Sequence, residues 1–198
     1  TEGKFLNLKL NTNASLLNEN SCHAILSGGV KTVVFSADAA DAKLYSKLRV
    51  NGDLNKVLKN IDLFKKIKDT HYSRSKIITR VSGVKVNEKQ NINSMVKLWG
   101  DLVDQVAFVD YNPWENVYES KRNQIKKPCS DLWRRMFIWW DGKVNPCDTD
   151  YKSLLSPGKF GDLDIKNLWN SDSYNKLRTN HINQLREKLH PCSNCVVV

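Results

Sequence analysis

The chain has 198 residues, of which 40% are hydrophobic and 26% are charged, and its formal net charge is +10. These values are typical of a soluble globular protein with one domain of ordinary size, or slightly more. No apolar run is long enough to span a bilayer, and the first residues have neither a signal-peptide pattern nor an initiator Met. We therefore expect a cytoplasmic protein without membrane contacts, represented here by a fragment or a trimmed product.

The positive charge raises the question of nucleic-acid binding. Most lysines are spread along helical patterns such as "KVLKNIDLFKKIKD", and the only dense cluster is "KRNQIKK". A solvated helix face accounts for this distribution. We do not expect nucleic acid as a partner, whereas an anionic substrate or partner remains an alternative.

Residues 1 to about 112 alternate between strand and helix patterns. The predicted strands, in chain order, are "FLNLKLNT" (5–12), "KTVVFSA" (31–37), "KIITRVSGVKV" (76–86) and "QVAFVDY" (105–111). The predicted helices between them are "SLLNENSCHAIL" (15–26), "LNKVLKNIDLFKKIKD" (54–69) and "INSMVKLWGDLV" (92–103). This order predicts an α/β fold with four parallel strands, which belong either to part of a barrel or to an open sheet.

Polar residues follow the apolar run of each predicted strand. In parallel α/β folds, ligands bind at the carboxyl ends of the strands. Candidate binding residues at or near these ends are Asn13, Ser36, Asp38, Arg80, Asp110 and Tyr111. For any one of them, a role in starting a loop, capping a helix or pairing charges in the core is the alternative.

The pattern changes after about residue 115, where a polar connector leads to a hairpin signal. "FIWW", Asp141-Gly142 and "KVN" predict two short strands joined by a two-residue turn with positive φ at both central residues. A short helix over 164–171 and a longer one over 172–189, with Ser171 as its N-cap, follow a Gly-rich segment. We place the domain boundary between residues 118 and 119.

The cysteines are concentrated in this second part. Cys22 stands alone in a predicted helix, where we expect it to be a small buried apolar group. Cys192 and Cys195 have a metal-ligand spacing, and the hairpin brings Cys129 and Cys147 toward one end. Four thiolates suit either a structural zinc ion or an iron–sulfur cluster, and spacing alone favours zinc. Free thiols and disulfides are further alternatives.

The segment around these cysteines resembles the SPASM and Twitch extensions of radical S-adenosylmethionine (SAM) enzymes. The matching features are Cys129, twelve residues, Gly142, four residues and Cys147, together with "IWWDGKVNPC", "FGDLDIKNLWNSDSYNKLR" and "CSNC". The resemblance covers about residues 127–196. It implies one auxiliary 4Fe–4S cluster with Cys129, Cys147, Cys192 and Cys195 as its ligands.

The first part resembles the barrel of the same enzymes. "LNTNASLL" is similar to the segment at the third barrel strand, with Ala14 where glycine is usual, and "VVFSADAADAKLYSKLR" is similar to the fourth, with Ala39 in place of glycine. The resemblance implies a partial (β/α) radical-SAM barrel over residues 1–118 and a small Cys-rich SPASM/Twitch domain over 119–198. It also implies that Ser36 contacts the ribose of SAM, with Asp38, Asn13 and Arg49 as further cofactor-binding candidates.

Two motifs of these enzymes have no match in the 198 residues: the CxxxCxxC loop that holds the SAM-cleaving cluster, and the "GGE" segment. We therefore expect the C-terminal portion of a larger oxidoreductase, which by itself does not cleave SAM. The resemblance implies that a 5′-deoxyadenosyl radical takes hydrogen from a peptide, protein or sugar-like substrate, with electrons from a reductant such as flavodoxin or ferredoxin. The alternative function is a non-catalytic zinc-binding interaction module with a basic surface.

Overall fold

A computed structural model describes residues 7–112 and 116–198. The chain divides into two compact units, Thr1–Tyr111 and Asn112–Val198. Residues 5 and 6 of the first predicted strand, and residues 113–115 of the predicted connector, lie outside the described part. The identity of the domains and their boundary between residues 118 and 119 stay a prediction.

The first unit is built around a parallel sheet. Its strands are β1 (Lys9–Thr12), β2 (Thr32–Ser36), β3 (Ile78–Lys85) and β4 (Gln105–Asp110), and they lie side by side in the order β1-β2-β3-β4. All three pairings are parallel. Its helices are α1 (Glu19–Ser27), α2 (Ala42–Leu48), α3 (Leu54–His71) and α4 (Ile92–Gly100). This arrangement confirms the predicted α/β fold with four parallel strands.

Apolar periodicity explains why these elements form. The centre of β2 is a run of β-branched and aromatic residues buried on both faces, as a central parallel strand requires. Helix α3 buries residues at helical spacing and leaves its lysines outside. The buried positions of α3 are Leu54, Val57, Ile61, Phe64 and Ile67.

Two features of this unit differ from the sequence prediction. Helix α2 was not predicted, because its seven residues bury only Tyr45 and give no apolar stripe. Its start is fixed by Asp41, whose carboxylate accepts a hydrogen bond from the Leu44 N–H at 2.8 Å. Arg80 was predicted at or near the carboxyl end of a strand, and this prediction is wrong. Arg80 is the third residue of β3, far from the carboxyl end of that strand.

The second unit contains short elements. Its helices are α5 (Asp131–Arg134), α6 (Ile165–Trp169) and α7 (Asp172–Ile182), followed by a 3-10 helix, Arg186–Lys188. Its antiparallel sheet has the order β5 (Phe137–Ile138), β6 (Lys143–Asn145) and β7 (Gly158–Lys159). This unit matches the predicted small Cys-rich domain with a hairpin and helices.

The predicted helix over 172–189 is interrupted after Ile182. Gln184 has φ of 60°, a left-handed conformation that ends an α-helix. The interruption turns the chain so that Arg186 becomes buried, with 1% of its surface exposed.

The hairpin forms as predicted, but its turn is of another kind. The Gly142 N–H donates to the carbonyl of Trp139 at 2.9 Å, and the Trp139 N–H donates to the carbonyl of Lys143 at 2.8 Å. Of the loop residues, Gly142 alone has positive φ, at 84°. This is a three-residue loop with glycine in the left-handed position, which replaces the predicted two-residue turn.

Across residues 7–112 and 116–198, no helix combines the length and apolar character that crossing a bilayer requires.

Candidate metal centre

Four of the five cysteines line a single small cavity in the second unit. These residues are Cys129, Cys147, Cys192 and Cys195, and each has a free, half-buried thiol. Besides the cysteines, the apolar part of the wall comes from leucine and proline side chains, and its polar part comes from Thr149, Asp150, His181 and Arg186. The sequence-predicted metal ligands are therefore brought together, while Cys22 is buried in the core of the other unit.

The hairpin delivers two of the thiols. Cys129 precedes helix α5 with only Ser130 between them, and Cys147 follows strand β6 after a single proline. Because Phe137 pairs with Asn145 in the hairpin, the segments that carry the two cysteines leave it at the same end. The antiparallel pairing thus brings Cys129 and Cys147, which are eighteen residues apart in sequence, close together.

The other two thiols, Cys192 and Cys195, lie on a turn whose carbonyl groups accept hydrogen bonds from Arg186. The Cys195 N–H donates to the carbonyl of Cys192 at 3.3 Å, which closes the turn. The guanidinium of Arg186 donates to the carbonyls of Cys192 at 3.1 Å and Val197 at 2.8 Å, and to that of Cys195. A fourth contact, to the carbonyl of Lys127 at 3.4 Å, connects this turn to the segment that leads to Cys129.

The loop after Cys147 is organised by a buried carboxylate. Asp150 is fully buried, and its two oxygens accept from the N–H groups of Leu154 at 3.0 Å and Leu155 at 2.8 Å. It also accepts from the hydroxyl of Tyr118. The Asn145 side chain donates to the carbonyl of Asp150 at 2.7 Å, so the loop is fixed to the hairpin. These bonds hold the segment that carries Cys147 without using its sulfur.

The electrostatics of the cavity oppose free thiolates. Burial raises the pKa of both Cys147 and Cys192 to about 12, and burial also raises the pKa of Cys129. Negative charge on neighbouring sulfurs raises each of these pKa values further, whereas the Arg186 guanidinium lowers those of Cys129 and Cys192. Thiol ligands must lose their protons to bind a metal, and the positive charge of a bound metal favours that loss.

His181 is fully buried against the cysteines. Its Nδ1 accepts a hydrogen bond from the Cys129 N–H at 3.2 Å. Burial, with a smaller contribution from the positive charge of Arg186, lowers the pKa of His181 to about 4, so the ring is neutral at physiological pH. Its Nε2 is buried and has no hydrogen-bond partner among the residues that the structure describes.

The donor set suits an iron–sulfur cluster. It consists of four soft sulfur atoms, from four separate positions around one cavity, with a buried cation beside them. Within residues 7–112 and 116–198, no group of three or more His, Cys, Asp or Glu side chains is arranged to hold a single metal ion.

The sequence-predicted cofactor residues lie in the first unit. Asn13 and Arg49 line one cavity of about 420 Å³, together with polar residues of the loop after α2. Ser36 ends β2 and pairs in register with Ser82 of β3. Neither Ser36 nor Asp38 is among the described residues that line this cavity.

Asp38 uses both carboxylate oxygens within the protein. Its Oδ2 accepts from Arg49 Nε at 2.6 Å, and its Oδ1 accepts from the Val84 N–H at 2.8 Å. Asp38 therefore ties the ends of β2 and β3 together and orients Arg49. Whether these two residues also contact SAM stays a prediction.

A buried glutamine, which the sequence analysis did not select, completes this connection. The Nε2 of Gln90 donates to the carbonyls of Asp38 and Val84, both at 2.7 Å, and its Oε1 accepts from the N–H groups of Val86 and Asn87. Only 3% of Gln90 is exposed. One side chain thus satisfies four backbone groups at the carboxyl ends of two strands.

We expect Gln90→Leu to lower the free energy of unfolding by about 3 kcal/mol, because buried backbone groups without partners cost about 1–3 kcal/mol each. Urea denaturation followed by circular dichroism measures the change. Gln124→Leu, at an exposed position, is the matched control and should leave the midpoint almost unchanged. Equal effects of the two substitutions would contradict this role of Gln90.

The burial of His181 is indicated by the helical spacing of its neighbours in the sequence, although the sequence analysis did not select this residue. Tyr174, Leu177, Arg178 and His181 are the buried residues of α7, and their spacing is that of one helix face. The buried position of Arg186 could not be read in this way, because it depends on the break at Gln184.

A family model matches most of the second unit. Residues 129–196 match the family model of SPASM, an iron–sulfur cluster-binding domain. No curated protein matches the chain in a sequence search.

Solved structures share the fold of the chain at low sequence identity. SuiB of Streptococcus suis, in a crystal structure bound to the precursor peptide SuiA, has a TM-score of 0.62 and 15% identity over 86% of this chain and 49% of SuiB. The same enzyme bound to S-adenosylmethionine gives a TM-score of 0.62 at 14% identity. A structure of anSMEcpe with bound AdoMet has a TM-score of 0.62 and 15% identity over 94% of this chain and 61% of that one.

The chain therefore spans about half the length of SuiB and about three fifths of anSMEcpe, both of which are radical SAM enzymes. At this level of identity the likeness concerns the fold, which agrees with the partial barrel predicted from the sequence. Residues 129–196 match the SPASM iron–sulfur cluster-binding domain, and the chain that carries them shares the fold of radical SAM enzymes.

Proposed function

We propose that this chain holds one auxiliary 4Fe–4S cluster through Cys129, Cys147, Cys192 and Cys195. The observation that carries the proposal is the convergence of these four free thiols on one cavity. When bound, such a cluster, with a thiolate on each iron, supplies a one-electron carrier. The residues of the chain set its surroundings: Arg186 holds the turn of Cys192 and Cys195, and Asp150 holds the loop after Cys147.

Metal analysis tests this proposal against the zinc alternative. After anaerobic reconstitution with iron and sulfide, we expect about four iron and four sulfide per chain, as a cubane cluster with four thiolate ligands requires. Binding of one zinc per chain, with no iron retained after desalting, would instead support the zinc-binding interaction module.

For the first unit, we propose that the carboxyl ends of the strands form part of a SAM and substrate cleft. A cavity of about 420 Å³, lined by Asn13 and Arg49 but not by Ser36 or Asp38, supports the part of this assignment that concerns Asn13 and Arg49. In the proposed arrangement Ser36 contacts the SAM ribose, while Asp38 keeps Arg49 in place through its 2.6 Å ion pair.

We propose a peptide as the substrate class of the whole enzyme, acted on by radical chemistry. The peptide-bound structure of SuiB, whose fold this chain shares, supports a peptide. So does a wide cavity of about 660 Å³ after the carboxyl ends of β2 and β3. Its charged lining consists of three lysines, Lys43, Lys47 and Lys89, and one carboxylate, Asp41, and this excess of positive charge suits a peptide with acidic residues.

The 198 residues alone should not produce 5′-deoxyadenosine from SAM. Without the three-cysteine loop, no iron with an open coordination position is available to bind the methionine amine and carboxylate. Chromatography of the reconstituted, dithionite-reduced chain incubated with SAM measures the product. Formation of 5′-deoxyadenosine above the level of a chain-free control would contradict this expectation.

A further inference from the structure

The hydrogen bonding of His181 determines which of its ring nitrogens carries the proton. Nδ1 accepts a hydrogen bond from the Cys129 N–H at 3.2 Å, so Nδ1 holds a lone pair and no proton. In a neutral imidazole the proton then lies on Nε2. His181 therefore presents a fixed N–H donor from a fully buried ring.

This donor has no partner among the described residues, although it is buried. A buried donor without a partner is unfavourable, because it has lost its hydrogen bond to water, and each such group in a native structure calls for an explanation. The orphaned N–H belongs to a ring that lines the cavity of the four cysteines.

The acceptors that the protein itself places on this cavity make no bond to Nε2. The Arg186 guanidinium can only donate, and its bonds go to backbone carbonyls. Thr149 and Asp150 carry acceptor oxygens, and Asp150 accepts from Leu154 and Leu155, but neither side chain bonds to His181 Nε2. The four cysteine sulfurs do not bond to it either, so a sulfur brought into the cavity by a bound cluster would supply the missing acceptor.

We propose that His181 is a positioning residue for the cluster: its Nε2–H donates a hydrogen bond to a sulfur of the bound cluster and thereby raises the cluster's reduction potential. The inference rests on the proposed function, since it needs the cluster in the cysteine cavity. Reduction adds one electron, and the reduced cluster is the more negative state. A hydrogen bond to sulfur stabilises that state more than the oxidised one.

Two substitutions separate the donor from the rest of the ring. His181→Asn places an amide near the position of Nδ1, where it can accept from the Cys129 N–H, but it removes the donor at Nε2. His181→Gln reaches the position of Nε2 and retains a donor there. His190→Asn is the matched control, because His190 is exposed and lies two residues before Cys192.

The measurement is the midpoint potential of the reconstituted chain, from a redox titration followed by electron paramagnetic resonance, with iron content recorded for each protein. For His181→Asn we expect a more negative midpoint potential. At a given applied potential, the ratio of oxidised to reduced cluster should rise about tenfold, which corresponds to a shift of about 59 mV for one electron. His181→Gln and His190→Asn should stay close to the parent. Equal potentials for His181→Asn and the parent, at equal iron content, would overturn the inference.

A measurement on the unsubstituted chain guards against loss of the cluster in the variants. Histidine labelled with ¹⁵N should give a weak nitrogen coupling to the reduced cluster in pulsed electron paramagnetic resonance, and the coupling should persist in His190→Asn. No coupling, or one as strong as that of an iron-bound nitrogen, would contradict a hydrogen bond. If the unsubstituted chain binds no cluster, the proposed function fails as well; if it binds one but His181 has no effect, the inference alone fails.

Discussion

Replacing Cys147 with Ala is expected to remove the cluster from the chain. Cys147 lies on the loop that joins the hairpin to the rest of the cavity wall, and its thiol is one of four that line the cavity. A ligand set without one thiolate loses metal affinity and the local folding coupled to it. The loss should exceed the roughly 10–100-fold effect of removing an outer-shell partner of a metal ligand. Iron and sulfide per chain, measured after anaerobic reconstitution and desalting, report the outcome.

Cys22→Ala is the matched control for this substitution. Cys22 is also buried, but it packs in the core of the first unit. Its removal should leave the iron content of the second unit unchanged, even if it lowers the stability of the first. The ligand assignment is wrong if Cys22→Ala costs as much iron as Cys147→Ala.

Gly83→Ala is expected to cost more than about 3 kcal/mol of unfolding free energy, near the upper end of single substitutions. A Cβ at position 83 would lie 2.3 Å from the carbonyl oxygen of Ala37 and 2.6 Å from the Phe108 ring. The backbone of Ala37 cannot move away freely, because its N–H donates to the carbonyl of Ser82 at 3.0 Å and Asp38 follows it. Thermal and urea denaturation measure the change.

Gly100→Ala serves as the control for Gly83→Ala. Gly100 is the last residue of α4, and a Cβ there has no heavy atom within 4 Å. Alanine in a helix is more stable than glycine by about 0.5–1 kcal/mol, so we expect a neutral or stabilising effect. If Gly83→Ala changes the free energy of unfolding as little as Gly100→Ala does, then the close contact between β3 and the end of β2 does not require glycine at position 83.

The sequence predicted the elements of the first unit because their burial pattern is local. The run "TVVF" identifies β2, and the stripe of α3 identifies its buried face. Helix α2 lacked such a pattern. The contacts of Asp38 and Gln90 could not be predicted either, because residues 38, 84 and 90 meet only when β2 and β3 pair.

The ligand positions of the candidate metal site could be predicted from the sequence, but the residues that hold the cysteine segments in place could not. The cysteine spacing and the hairpin pointed to a four-thiol site, and the resemblance indicated which metal group it serves. The role of Arg186 depends on the left-handed residue Gln184, which nothing in the local sequence required. Ala14 stands where the resemblance to the radical-SAM barrel leads us to expect glycine, and its φ of 60° is a left-handed conformation that glycine adopts more readily.

The absorption spectrum of the anaerobically reconstituted chain tests the central claim most directly. A 4Fe–4S cluster held by Cys129, Cys147, Cys192 and Cys195 should give a brown protein with a broad band at about 400 nm that bleaches with dithionite, since thiolate-bound cubane clusters are redox-active. A colourless protein that retains zinc, or no metal, after the same treatment would contradict the account.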